Sequence, residues 1–273
     1  MTPEDFLKSG DPAGALGALQ NLVKAKPADA KLRIFLFQLL CVMGQWDRAI
    51  RQLKVCGELD PGALQMCQAY REAIICEVYR EKVFSGDKAP LVFGEPQEWL
   101  AWLMEAQKLL AKGEVQAASD LRAQAFEAAP ATTGDLDGTK FEWIADADMR
   151  FGPVLEAIVN GRYFWLPFNQ IARIAFDPPT DLRDAVWTAA HITLANEGQV
   201  VAFIPSRYPF SGQKGDPAEK LSRATNWTDA GAETFTGLGQ RLLSTDQGDV
   251  ALLDARLVKF NVAPAAAASD QVE

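Results

Sequence analysis

The chain has 273 residues, room for one large or two ordinary domains, and its 48% hydrophobic and 23% charged side chains are the balance of a protein that folds around a real core. Its net charge of -9 is uneven, with 15 basic and 17 acidic side chains in residues 1–130 but 12 and 19 in residues 131–273. Such a surface repels phosphate backbones and anionic lipid, so neither nucleic acid nor membrane is expected as a partner, and basic proteins suit the second half better.

The chain opens Met1-Thr2-Pro3-Glu4-Asp5, acidic where a secretory leader would be basic, so no export is expected. The longest apolar runs, near Ile34–Leu40 and Val200–Ile204, fall far short of the roughly 18 residues that span a bilayer. A cytoplasmic location is the expectation.

Aligned with itself at a shift of 34 residues, the first half repeats. Gly10, Ala15, Leu19 and Pro27 fall onto Gly44, Ala49, Leu53 and Pro61, and the same frame returns at Gly113, Ala118 and Pro130. Glycine fits a tight turn between helices because it tolerates positive φ, and a small alanine five residues later lets two antiparallel helices approach closely. Proline then closes the unit, since it cannot continue a helix. In the second frame the helices are predicted from about Asp29 to Met43 and from Trp46 to Leu59, and in the third frame the first helix covers Glu98–Lys112. The stretch from Ala63 to Phe84 is helical by pattern, without the glycine and alanine marks, and reads as a degenerate pair or one longer helix. A 34-residue helix pair closed by proline resembles the tetratricopeptide repeat, and Trp102 stands where that family favours an aromatic.

Stacked helix pairs form a groove that commonly holds a helix or an extended peptide. Repeat geometry places Lys31, Ile34, Gln38, Cys41 and Val42 in it from the second frame, and Leu100, Leu103, Gln107 and Leu110 from the third. The alternative is that the apolar members pack inside the fold, as helical stripes usually do. Cys41, Cys56, Cys67 and Cys76 lack the paired spacing of a structural zinc site, so they are expected as buried reduced thiols.

After Pro130 the period changes from helical to short strand-like runs. Phe141–Ile144 follows the turn pair Asp137-Gly138, and Val154–Val159 and Arg162–Leu166 flank Asn160-Gly161, a strong hairpin signal. Ile171–Phe176, Ala185–Trp187, His191–Ala195, Val200–Ile204 and Ala251–Phe260 complete seven or eight strands. Alternation along Tyr163-Phe164-Trp165-Leu166 sends Tyr163 and Trp165 to one face and Phe164 and Leu166 to the other, so both faces should be covered. The segment Pro205–Gly239 reads as a long loop with a short helix near Pro217–Ala224. The expected fold class is α+β: a tetratricopeptide-like helical repeat over 1–130, a small mostly antiparallel β domain over 131–262, whose strand count also allows a small barrel, and a disordered tail over 263–273.

Catalytic, cofactor and metal sites are not expected. His191 alternates with apolar neighbours and has no nucleophile or acid nearby in sequence. Asp146-Ala147-Asp148 reads as a surface turn, lacking the further oxygen ligands of a calcium loop. Gly237-Leu238-Gly239-Gln240-Arg241 lacks the third glycine of a dinucleotide loop.

Five stretches, Arg33–Cys41, Leu91-Val92-Phe93-Gly94-Glu95-Pro96, Phe141-Glu142-Trp143-Ile144-Ala145-Asp146-Ala147-Asp148, Tyr163-Phe164-Trp165-Leu166-Pro167-Phe168 and Ile204-Pro205-Ser206-Arg207-Tyr208-Pro209, resemble the ImpE/TagJ family of type VI secretion accessory proteins. That resemblance implies a non-enzymatic bacterial adaptor that binds a sheath subunit of the TssB type and is linked to the ClpV-type disassembly ATPase. Two other readings stand beside it, a small-molecule or enzymatic role for the β domain around His191, and a self-associating assembly factor.

Overall fold

The computed structural model describes residues 1–94 and 97–262; the tail expected as disordered lies outside them. Seven longer helices occupy the first half: α1 (Pro3–Lys8), α2 (Pro12–Ala25), α3 (Ala30–Val42), α4 (Trp46–Leu59), α5 (Leu64–Phe84), α6 (Glu98–Ala111) and α7 (Val115–Ala128). The first three start on side chains that accept free backbone N–H groups: Thr2 and Asp5 form a reciprocal capping box, Asp11 caps α2 and Asp29 caps α3. The repeat's marks have the expected physical meaning. Gly10, Gly44 and Gly113 all turn the chain at positive φ, and Ala15, Ala49 and Ala118 are fully buried where the paired helices close on one another. The stretch without those marks is one 21-residue helix, α5, entered through a 3₁₀ turn at Pro61–Ala63.

The β half is larger than the sequence suggested. Its strands are β2 (Gly134–Leu136), β3 (Thr139–Phe141), β4 (Ile144–Asp146), β5 (Val154–Val159), β6 (Arg162–Pro167), β7 (Ile171–Phe176), β8 (Trp187–Leu194), β9 (Gln199–Pro205), β10 (Thr225–Asp229), β11 (Phe235–Gly239), β12 (Leu242–Thr245), β13 (Gly248–Ala251) and β14 (Leu257–Phe260), while β1 (Leu91–Val92) comes from the helical half. Nine of them form one sheet in the order β1-β6-β5-β9-β8-β7-β14-β2-β3, all antiparallel but for β1 on β6. The ends of that order do not pair, so the sheet is open and not a barrel. β4, β12 and β13 make a three-stranded sheet, and β10 and β11 a separate ribbon.

Several expected strands change on inspection. Phe141–Ile144 is divided between β3 and β4, Leu182–Ala185 is a 3₁₀ turn, and Trp187 and His191 belong to one strand. The hairpin at Asn160-Gly161 is present, with both residues at positive φ. The segment Pro205–Gly239 is not a long loop: it holds α8 (Ser211–Lys214), α9 (Pro217–Lys220) and the β10–β11 ribbon.

The alternation read in β6 decides the layering. Tyr163 and Trp165 join Phe37, Ile74, Phe84 and Trp187 in a core shared with the helices, whereas Leu166 joins Ile174, Ala202, Leu243 and Val258 in a second core beneath the three-stranded sheet. The large sheet is therefore the middle layer, with helices on one face and the small sheet on the other. The helical repeat and the sheet share one core, and the chain is a single packed body at their contact.

Candidate functional site

The groove expected on the helical repeat is filled by the chain itself. Gln38, Cys41, Val42, Leu100, Leu103 and Gln107 are all buried, Ile34 and Leu110 are half-buried, and of the nine residues only Lys31 is exposed. At the end of α3 one of the groups that meets them comes from far along the chain. Arg207, itself buried, reaches across to α3 and donates from Nη1 to the Val42 carbonyl and from Nη2 to the Cys41 carbonyl, each at 2.7 Å, and also from Nη1 to the Lys220 carbonyl at 2.7 Å. The last carbonyls of a helix have no partner within it, and a guanidinium satisfies two of them at once while meeting the negative end of the helix dipole. Beside it the turn glycine Gly44 touches Gly212, where an added Cβ would lie 2.9 Å from the Gly44 Cα.

Beside this contact three arginines, Arg80, Arg150 and Arg241, meet four carboxylates, Glu77, Glu156, Asp146 and Asp148. Glu156 of β5 is the hub. Its Oε1 accepts from Arg80 Nε at 2.6 Å and from the Tyr163 hydroxyl, and its Oε2 accepts from Arg80 Nη2 at 2.6 Å and from Arg241 Nη2. Trp165 Nε1 donates to the Tyr163 hydroxyl at 2.8 Å, and Arg80 Nη2 also donates to the Arg207 carbonyl at 3.0 Å. On α5, Glu77 accepts from Arg80 at 3.2 Å and from Trp187 Nε1 at 3.0 Å. Arg241 extends the frame to Asp146 and to the Pro205 carbonyl.

The electrostatics follow from burial and pairing. Burial alone would raise the Glu156 carboxyl, but Arg80 and Arg241, with hydrogen bonds from Arg80 and Tyr163, hold it below the usual carboxylate range. Burial wins at Glu77, which is raised despite Arg80, and at Asp146, which is raised to about 7 despite Arg241. Burial also lowers Arg207 to about 10, because carbonyls and not a carboxylate receive it.

The carboxylates of Asp146-Ala147-Asp148 are thus not in a surface turn. Asp146 Oδ1 accepts the Asp148 N–H at 2.9 Å, and Asp148 accepts from Arg150 Nε at 2.9 Å and from the Gly237 N–H at 2.6 Å, which pins β11 to this corner. Both side chains are buried, with their lone pairs committed to protein donors. Among the described residues no cluster of three or more His, Cys, Asp or Glu side chains is placed to hold a metal ion.

His191 lies on the sheet face beyond the helices, its side chain 60% exposed and Nε2 3.8 Å from Asp177 Oδ1, too long for a hydrogen bond. The shallow cavity beside it, about 330 Å³, is lined by Arg173, Thr193, Gln199 and Val201. No carboxylate lines that cavity. All four cysteines are free and buried, and burial pushes the thiols up, to about 11 at Cys56 and about 12 at Cys76.

Sequence reading missed Glu77, Arg80, Glu156, Arg207 and Arg241. A signal was present for the first two, a carboxylate and a guanidinium one turn apart inside the apolar stripe of α5, next to Ile74 and Val78. Arg207 likewise sits between Pro205 and Tyr208 at the end of an apolar run. Among the described residues no helix is long and apolar enough to cross a membrane.

Comparison with known proteins bears on these same segments. A family model described as ImpE protein matches residues 138–259, which hold most of the frame, and a tetratricopeptide repeat model matches residues 6–69. The type VI secretion system accessory component TagJ of Pseudomonas aeruginosa is 51% identical over 260 residues, 95% of this chain and 91% of that protein. The crystal structure of protein VPA1032 from Vibrio parahaemolyticus superposes with a TM-score of 0.87 at 25% identity, over 94% of this chain and 97% of that one.

Proposed function

Because the chain belongs to the ImpE/TagJ family of type VI secretion accessory components, we propose that it is a non-enzymatic cytoplasmic adaptor that binds a TssB-type sheath subunit and the ClpV-type disassembly ATPase. The observation that carries this reading is where the family's motifs go. Phe141–Asp148, Tyr163–Phe168 and Ile204–Pro209 contribute Asp146, Asp148, Tyr163, Trp165 and Arg207 to the buried frame, which fixes the helical repeat against the sheet. Their polar groups are spent inside the frame, which supports a body that works through its outer surface. An adaptor needs a rigid, preorganised surface, since ordering on binding costs affinity.

Calorimetry with the full-length chain tests the proposal, using purified sheath subunit and the N-terminal domain of the ATPase. Saturable heat with at least one of them, at a Kd of about tens of micromolar or tighter, is expected. No heat with either overturns the reading.

A further inference from the structure

The helices leave part of the large sheet open. Their layer reaches Phe203 of β9, on which the Tyr70 ring of α5 packs at 5.1 Å. Beyond it, the strands from β9 through β8, β7 and β14 to β2 keep one face in the second core, through Val200, Ile192, Ile174, Val258 and Leu136. Their other face is exposed or half-buried.

Strand register sets the side chains of this open face in rows. One row runs Gln199, Thr193, Arg173, Lys259, Asp135 and Lys140, from β9 to β3. The next runs Val201, His191, Ala175 and Leu257. Val201 is 64% exposed, an apolar side chain left in water on a strand that is buried on its other side.

Arg173 and Lys259 stand directly opposite each other on neighbouring strands, where like charges destabilise the pairing. Among the described residues neither has an ion-pair partner, and nor does Lys140. The row holds one carboxylate against three cations. That carboxylate, Asp135, is half-buried, and its Oδ1 accepts the Gly138 N–H at 2.9 Å. At the edge of the face Asp177 lies 3.8 Å from His191. This gathering of cations runs against the 12 basic and 19 acidic side chains of residues 131–273. An outside carboxylate placed between Arg173 and Lys259 would turn one repulsion into two attractions.

Resting on the adaptor reading, we infer that this open sheet face is a second docking surface, separate from the helices, and that it takes an acidic segment of a protein partner. The segment's Asp or Glu carboxylates meet Arg173 and Lys259, and an apolar side chain covers Val201. The shallow cavity beside Arg173 adds Thr193 and Gln199 as donors and brings no competing carboxylate. An adaptor for two proteins is served by two separate surfaces, and this face supplies one of them.

Calorimetry of the full-length chain against the sheath subunit and the ATPase N-terminal domain tests this, with wild type, Arg173→Glu, Val201→Glu and, as a control of equal charge change off this face, Arg223→Glu. Arg173→Glu sets a carboxylate opposite Lys259, so it should melt no lower than wild type while binding is lost. Both face variants are expected to bind one of the two proteins at least about tenfold more weakly. The control should bind as wild type does, and wild-type affinity for that protein should fall between about 50 and about 300 mM salt. If wild type binds and either face variant binds every partner equally well, or the control weakens as much, the assignment is overturned while the adaptor reading stands. If wild type binds neither protein, the adaptor reading itself fails and this inference with it. Binding to phosphatidylglycerol vesicles that Arg173→Glu abolishes would give the face to a membrane and overturn the assignment. Dimerisation abolished by Val201→Glu would give it to a second copy, with the same consequence.

Discussion

Arg80 on α5 and Glu156 on β5 are joined by two parallel hydrogen bonds of 2.6 Å, Nε to Oε1 and Nη2 to Oε2, and both side chains are shut off from solvent. This pair ties the helical repeat to the middle strands of the sheet. Removing one member leaves the other buried with its pairing halved, Glu156 on Arg241 alone or Arg80 on Glu77 alone, and breaking a buried pair in this way costs about 3–5 kcal/mol. Arg80→Ala and Glu156→Ala should each lower the thermal midpoint by about 6–20 °C, taking roughly 2–4 °C per kcal/mol for a chain of this size. Arg80→Met combined with Glu156→Leu should cost less than the two single changes added together. Scanning calorimetry decides it; single variants that melt within about 3 °C of wild type would show that the pair is not needed.

Arg207 should be intolerant of lysine. Its fork serves the Cys41, Val42 and Lys220 carbonyls together, and an ammonium on a flexible stem cannot reproduce that geometry. Arg207→Lys is expected to cost about 1–3 kcal/mol in urea unfolding, the range for buried carbonyls left without their donor. Amide exchange at Met43–Gln45, where α3 ends, should speed up while α6 and α7 keep their rates. Unchanged exchange at α3 with lost stability elsewhere would mean the cap is not its role.

Asp146 gives a pH dependence of definite sign. Its carboxyl is raised by burial from the ordinary 3.8 to about 7, with Arg241 opposing and Asp148 and Glu156 adding to the rise. Between those two values the folded chain holds a proton that the unfolded chain has released, so this stabilisation is full below the lower value and is lost as pH rises through the upper one. Glu156 is lowered and acts in the opposite sense at more acidic pH. The midpoint of wild type minus that of Asp146→Asn should therefore fall steadily from about pH 4 to about pH 8. A difference that stays flat, or rises, contradicts the assignment.

The thiols should be silent in the native protein. Only a thiolate attacks a disulfide reagent, and burial raises Cys41, Cys56, Cys67 and Cys76 away from ionisation. Ellman's reagent at about pH 8 should find almost no reactive thiol within minutes, and all four once guanidinium is added. A fast-reacting thiol in the native chain would place at least one of them near the surface.

Local structure was legible where one residue decides it. Gly10, Gly44 and Gly113 marked the helix turns, Trp46–Leu59 was bounded correctly at both ends, and Asn160-Gly161 located a hairpin, because each depends on backbone preferences within a few residues. What covers a face was not legible. Cys41 and Val42 looked like groove residues because repeat geometry knows only the neighbouring repeats, whereas Arg207, which donates to both of their carbonyls, comes 165 residues after Val42. Asp146 and Asp148 read as a turn for the same reason: their partners, Arg241 and the Gly237 N–H, lie some ninety residues on. Pro205–Gly239 is rich in turn-forming residues, and its order comes from contacts such as Gly212 on Gly44, which composition does not record.

Hydrogen–deuterium exchange on the full-length chain, alone and with a saturating amount of the sheath subunit or of the ATPase domain, tests most directly whether a rigid body presents its outer helical surface to a protein partner. The expected result is new protection in helices of the repeat, with β4, β5 and β6 as slow as before because the Arg80–Glu156 frame does not open. No gain of protection at any amide with either partner, or faster exchange in β5 on binding, would contradict it.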